Sequence, residues 1–143
     1  MLFRSAVGVI AEVLVFLYMR QLLGRFSLKT LLLFSLCCAV ARWLLIGFGA
    51  DFMTLLLFAQ ILHAATFGLY HVVALHYVHR FFQGRLQGRG QALYSSVGFG
   101  AGLALGTFVS GYIWSGAGSS ASFAAASGMA FLAVLIGRRW IIS

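Results

Sequence analysis

Apolar residues run along this chain in five long blocks, separated by short stretches rich in Arg, Gly and Ser. The blocks cover about 5–19, 30–48, 52–78, 91–114 and 121–137. They are too long and too continuously apolar for the ten-residue alternating strands of a membrane barrel. Helices and closed barrels are the two structures that can cross a bilayer, since each backbone polar group must be satisfied internally. Helices of 19 to 25 residues reach about 28 to 38 Å, against a hydrocarbon core of about 30 Å. The pattern therefore predicts an all-α membrane protein with five transmembrane helices over those ranges. The first is the shortest and carries Glu12 inside it. The chain contains no proline, so any kink must come from glycine or from polar insertions.

The polar positions between the blocks sort by sign. Arg20, Arg25, Lys29, Arg80, Arg85, Arg89, Arg138 and Arg139 fall on one side of the predicted membrane, and Arg4 and Asp51 on the other. The basic side is expected to be cytoplasmic, with the N-terminus outside and the C-terminus inside. A first helix that begins directly on the outer side, with no targeting segment, suggests further helices upstream. The apolar N-terminal stretch lacks a small-residue cleavage site and is read as a helix that stays.

Composition reinforces the membrane reading. Apolar residues make up 62% and charged residues 8% of 143 positions, so a water-facing surface cannot be built. The net charge of +8 would point to nucleic acid in a soluble domain, but here the arginines sit in loops between apolar spans. Membrane lipids are the expected surroundings and nucleic acid is not an expected partner. The adjacent Cys37 and Cys38 have neither metal-ligand nor disulfide-scaffold spacing.

Ionisable groups inside spans are costly, and they usually face a cavity, the bundle interior or one another. Glu12 and Arg42 qualify, and antiparallel helices would let them pair; the bland alternative is a structural ion pair or an arginine reaching outward. His63 and His71 lie eight residues apart on one face, with Thr66, Phe67 and Tyr70 on or beside it. Such a polar and aromatic stripe suits a translocation cavity for an organic solute, and histidine titrates where proton coupling needs it. The alternative is interhelical hydrogen bonding and packing. His76 and His79 stand next to Arg80 and read as interfacial. Gln91, Tyr94 and Ser95 share a face at the start of the fourth span and could line the mouth of the same cavity.

Gly98, Gly102 and Gly106 recur at four-residue intervals, a ridge that would let two helices approach closely. There is no metal-ligand motif, no cofactor-binding motif and no nucleophile with a neighbouring base, so no enzyme is expected.

The strings Gly8-Val-Ile-Ala-Glu12, Ala41-Arg42-Trp43, Leu62-His63-Ala-Ala-Thr66-Phe67-Gly68-Leu-Tyr70-His71 and Gly90-Gln91-Ala-Leu-Tyr94-Ser95-Ser96 carry a resemblance. The chain resembles the C-terminal half of a major facilitator superfamily transporter, in the branch similar to 3-phenylpropionic acid transporters and nucleoside:proton symporters. That fold has twelve helices in two halves and works by alternating access. The resemblance implies that the five spans are helices eight to twelve, an incomplete C-terminal transmembrane domain over residues 1–143. It implies a secondary transporter segment in a bacterial inner membrane. The activity implied is proton-coupled movement of a small organic solute, such as an aromatic carboxylate, with the missing N-terminal half as partner if the transporter is split. A small membrane protein with a structural or assembly role, or a non-functional transporter fragment, stands as the alternative.

Overall fold

The computed structural model describes residues 2–141; the side chains of residues 2–8 and of Glu12 lie outside that description. Helix α1 spans Leu2–Arg25 and α2 spans Leu28–Gly49. Met53–Ala64 (α3) and Tyr70–Phe81 (α4) are joined through a π-helical turn at Ala65–Leu69. A short 3-10 turn at Gly84–Leu86 leads into α5, Gln87–Ser95. A second π turn, Ser96–Gly102, then joins α5 to α6, Leu103–Trp140. No strand occurs among the described residues.

The helices extend beyond the ranges expected from hydropathy. Helix α1 continues through Arg20 to Arg25, because Leu22 and Leu23 still have a core to pack against. The connection to α2 is therefore only a tight bend. Ser27 caps α2 by accepting the N–H of Thr30 at 3.1 Å. Helix α4 runs on to Phe81 and α6 to Trp140, so the arginines near those ends are helical too. Long cationic side chains do not end a helix when their charged tips can reach water.

Three helical runs among the described residues are long and apolar enough to cross a membrane: Leu28–Gly49, Met53–Phe81 and Gly84–Trp140. The last has 57 residues. Straight, it would measure about 85 Å, nearly three bilayer cores. It is not straight. Gly118 takes φ 86° and ψ 177°, a backbone conformation that side-chain-bearing residues rarely adopt. The chain doubles back there, and Ser122 Oγ donates to the Ser110 carbonyl at 3.2 Å across the bend.

The C-terminal arm of α6 packs antiparallel on α2. Ser120 Oγ donates to the Gly47 carbonyl at 2.9 Å, and Ser127 Oγ to the Val40 carbonyl at 3.0 Å. Close approach is built in: a Cβ on Gly47 would meet the Cβ of Phe123 at 2.8 Å, and one on Gly137 would meet Leu33 at 3.3 Å. Small residues and hydroxyls at an interface are how helices associate where lipid offers no hydrophobic drive. A second core joins α1, α2 and the α3–α4 rod through Met19, Leu31, Leu32, Leu69 and Val73.

The contacts also gather the cations. Leu32, Phe81 and Trp140 line one groove, so the start of α2, the end of α4 and the end of α6 share one end of the bundle. Leu22 and Phe26 meet Thr30 and Leu31 in a neighbouring cavity, which brings the end of α1 there. Gly90 sits against Phe82, which adds the start of α5. The residues from Arg20 to Lys29, from Arg80 to Arg89, and Arg138 and Arg139 thus belong to one end, while Asp51 follows α2 at the other.

Candidate functional site

The two π turns face each other, and the aromatic cluster between them is the most distinctive polar feature of the bundle. His63 (α3), Phe67 (first π turn) and His71 (α4) form a file of stacked rings. His63 and Phe67 have centroids 5.7 Å apart at an interplanar angle of 12°. Phe67 and His71 are 6.3 Å apart at 8°. In a regular helix, residues eight apart drift about 80° around the axis. The wider π turn takes back part of that drift and keeps the three rings on one face. Thr66 and Gly68 lie within this turn: the Thr66 hydroxyl donates back to the His63 carbonyl at 3.1 Å, a bond that bends helices.

The partner helix closes on this file edge-on. Phe99, from the second π turn, makes edge contacts with Phe67 at 6.4 Å, His71 at 5.7 Å and Tyr94 at 5.9 Å. Tyr94 Oη lies 3.2 Å from His71 Nδ1, so one imidazole nitrogen is engaged across the helix pair. Edge-to-face pairs set the positive rim of one ring against the negative face of another, at about 0.5–1.5 kcal/mol each beyond area burial. Phe67 is 45% exposed and Phe99 44% exposed, so the cluster keeps an open face.

Arg42 approaches from α2. Its Nη1 donates to Thr66 Oγ1 at 2.9 Å, and its guanidinium lies 4.5 Å from the Trp43 ring centroid. The Thr66 hydroxyl therefore accepts from Arg42 while donating to the His63 carbonyl, which ties a cation to the backbone beneath the file of rings. The expected pairing of Arg42 with Glu12 lies outside the described residues, since the Glu12 side chain is not among them.

The other sequence candidates are spread around this centre. Tyr70 lies beside Tyr94 in the groove that opens toward the basic end. Gln91 is engaged elsewhere, its Nε2 2.8 Å from His79 Nε2, and Ser95 stands exposed on α5. His76 bonds back to the Val72 carbonyl at 2.9 Å.

Along the Gly98, Gly102 and Gly106 ridge, a Cβ on Gly98 or Gly106 would meet nothing within 4 Å, and one on Gly102 only the Val97 carbonyl; Gly102 and Gly106 line open cavities shared with Ser122 and Ala126 of the returning arm of α6. The close approaches occur instead at Gly47 and Gly137. Spacing cannot tell a glycine that admits a neighbour from one that loosens a turn. Phe99 and Trp43 went unassigned by residue type. The signal for Phe99 was an aromatic ring isolated between Gly98 and Gly100.

Apolar helices of this length, with rings such as Phe108 and Tyr112 more than 70% exposed, define an integral membrane protein. The model of the MFS_1 like family matches residues 3–125, and the chain belongs to that family. The expected resemblance to a major facilitator transporter is thereby borne out.

The chain is 36% identical over 109 residues to a protein of Escherichia coli (strain K12) named "Probable 3-phenylpropionic acid transporter", covering 76% of this chain and 28% of that protein. It is 35% identical over 99 residues to the "Maltose permease" of Geobacillus stearothermophilus, covering 65% of this chain and 23% of that protein. The matches thus span about a quarter of the length of these relatives. No solved structure matches.

Proposed function

We propose that this chain is a segment of a secondary transporter that moves a small organic solute across a bacterial inner membrane. It is not an enzyme. Its helical runs make five crossings, the fourth and fifth being the two arms on either side of Gly118, and they correspond to helices eight to twelve of a twelve-helix carrier. The basic end faces the cytoplasm, with the N-terminus outside. Function requires the complementary half, since alternating access rocks one half against the other.

The observation that carries this reading is the file His63–Phe67–His71 with Phe99 and Tyr94 against it. Its rings offer flat faces to an aromatic or apolar solute. His71, bonded to Tyr94, sets an imidazole nitrogen against a phenol hydroxyl, two groups able to share and pass a proton. Arg42, fixed by Thr66, supplies positive charge for a carboxylate. A family relative named for 3-phenylpropionic acid points to the same class of solute.

The test is uptake of labelled 3-phenylpropionate by proteoliposomes. They would hold this chain together with the N-terminal portion of the Escherichia coli relative, under an imposed inward proton gradient. Gradient-dependent accumulation that is lost in His71→Ala supports the proposal. Uptake that ignores both the gradient and His71 refutes proton coupling through this site. Complete absence of uptake, with both pieces inserted and associated, favours a structural or assembly role.

A further inference from the structure

Arg42 is held from two directions. Its Nη1 donates to Thr66 Oγ1 at 2.9 Å, and its guanidinium carbon lies over the Trp43 ring, 4.5 Å from the centroid. The two contacts restrict different motions. A guanidinium carries its N–H donors in one plane, and a single hydrogen bond fixes one edge of that plane. The plane can still turn about the bond. The flat indole against it removes that turn.

Trp43 is itself fixed, from another helix. Phe123 stacks on it with centroids 5.9 Å apart at 22°, and Trp114 meets Phe123 edge-on at 5.9 Å and 72°. Trp114 and Phe123 come from opposite sides of the Gly118 bend, so both arms of α6 brace one side chain of α2. The backbone makes room for this. Gly47 lies one turn beyond Trp43 on the same face of α2, and a Cβ there would come within 2.8 Å of Phe123 Cβ. The Gly47 carbonyl also accepts from Ser120 Oγ at 2.9 Å, which anchors the arm that carries Phe123. A glycine, a serine bond and two ring contacts thus converge on the orientation of one indole. Packing accounts for three rings at a helix seam. It does not account for a cation laid over the first of them, inside a span where charge is costly.

We propose that Trp43 is a positioning residue for solute recognition. It sets the plane of the Arg42 guanidinium, and with it the plane in which a carboxylate can pair through two parallel N–H···O bonds. This rests on the reading of Arg42 as the partner of the solute carboxylate. The consequence is selectivity for the ionised acid. A carboxylate presents two acceptor oxygens to the fixed plane and gains both bonds. An uncharged amide of the same shape presents one carbonyl oxygen and gains little from the fixing. Arg42→Lys would lose the effect, since an ammonium has no plane to set.

The test is equilibrium binding of labelled 3-phenylpropionate and of labelled 3-phenylpropanamide, its uncharged isostere, to the assembled transporter with no proton gradient. The wild-type protein should prefer the acid. Trp43→Leu should weaken binding of the acid about tenfold, about 1.4 kcal/mol, and of the amide less than about twofold. Trp43→Phe keeps a ring face under the cation and should restore most of the loss. Phe123→Leu, which loosens Trp43 without touching Arg42, should weaken the acid alone, by about threefold. In an Arg42→Lys background, Trp43→Leu should change the acid-to-amide ratio by less than about twofold, because the two residues act as one unit. Equal loss of acid and amide in Trp43→Leu and Phe123→Leu overturns the proposal and leaves the rings as packing. A full further loss of acid preference in the lysine background overturns it too. A wild-type protein that binds both ligands equally contradicts the pairing of Arg42 with the carboxylate, and the inference falls with that reading.

Discussion

Arg42 Nη1 donates a 2.9 Å hydrogen bond to the Thr66 hydroxyl, which in turn donates to the His63 carbonyl. A cation on one helix is thereby fixed to the bent turn of another, directly under the file of aromatic rings. Thr66→Val keeps the shape of the side chain and removes both bonds. It should destabilise the bundle by about 1.5–3 kcal/mol, the range for hydrogen bonds to charged groups. Thr66→Ser should recover most of the loss. Thermal unfolding in mild detergent, followed by helical signal, checks both; equal stability of the valine and serine variants would leave the bond with no structural weight.

The bond between His71 and Tyr94 separates ring packing from proton chemistry. Tyr94→Phe keeps the edge contact with Phe99 and removes the hydroxyl. Gradient-driven uptake by the assembled transporter should fall about tenfold, while solute exchange without a gradient should change less than threefold, a difference of more than about 0.7 kcal/mol. His71→Phe should give the same split. Parallel loss of both activities would mean that the pair only packs.

Helix packing predicts an asymmetry among glycines. Gly47→Ala forces a Cβ to within 2.8 Å of Phe123 Cβ and should cost about 1–3 kcal/mol. Gly98→Ala meets nothing within 4 Å and should be neutral or slightly stabilising, since alanine is the better helix former by about 1 kcal/mol. Unfolding midpoints of the two variants, measured in the same detergent, should move in opposite directions or differ by several degrees.

Much of this is legible in the order of residues alone. The span expected at 30–48 appears as Leu28–Gly49, because a long apolar run with Arg42 as its one charged residue, flanked by a Ser cap and a Gly-rich end, leaves little choice. Spacing places His63 and His71 on one face, and their rings do share it.

What could not be read was everything that depends on which helices meet. The bond from Arg42 to the Thr66 hydroxyl, 24 residues away, had no signal in the sequence. The glycine ridge was conspicuous by its period, whereas the α2–α6 seam is built from Gly47, Ser120, Ser127 and Gly137. Its one signal was weak: Val40 and Gly47 are seven residues apart, as are Ser120 and Ser127. Neither π turn had a sequence signature beyond Thr66 and a cluster of glycines.

The seam itself gives a modest prediction. Ser127→Ala removes the bond to the Val40 carbonyl and should cost about 0.6 kcal/mol, the average for interhelical hydrogen bonds in membranes. Combining it with Ser120→Ala should cost nearly the sum, since the two bonds are separate and lie about two turns apart. Equilibrium unfolding of the single and double variants tests this additivity.

The central claim is that solute occupies the open face of the His63–Phe67–His71 file. The direct measurement is maleimide labelling of Phe67→Cys, with Cys37 and Cys38 replaced by Ala, in the assembled transporter. Added 3-phenylpropionate should slow labelling of the introduced thiol several-fold, with half-protection near the solute's transport KM. An unchanged labelling rate at saturating solute, in a protein that still transports it, would contradict the account.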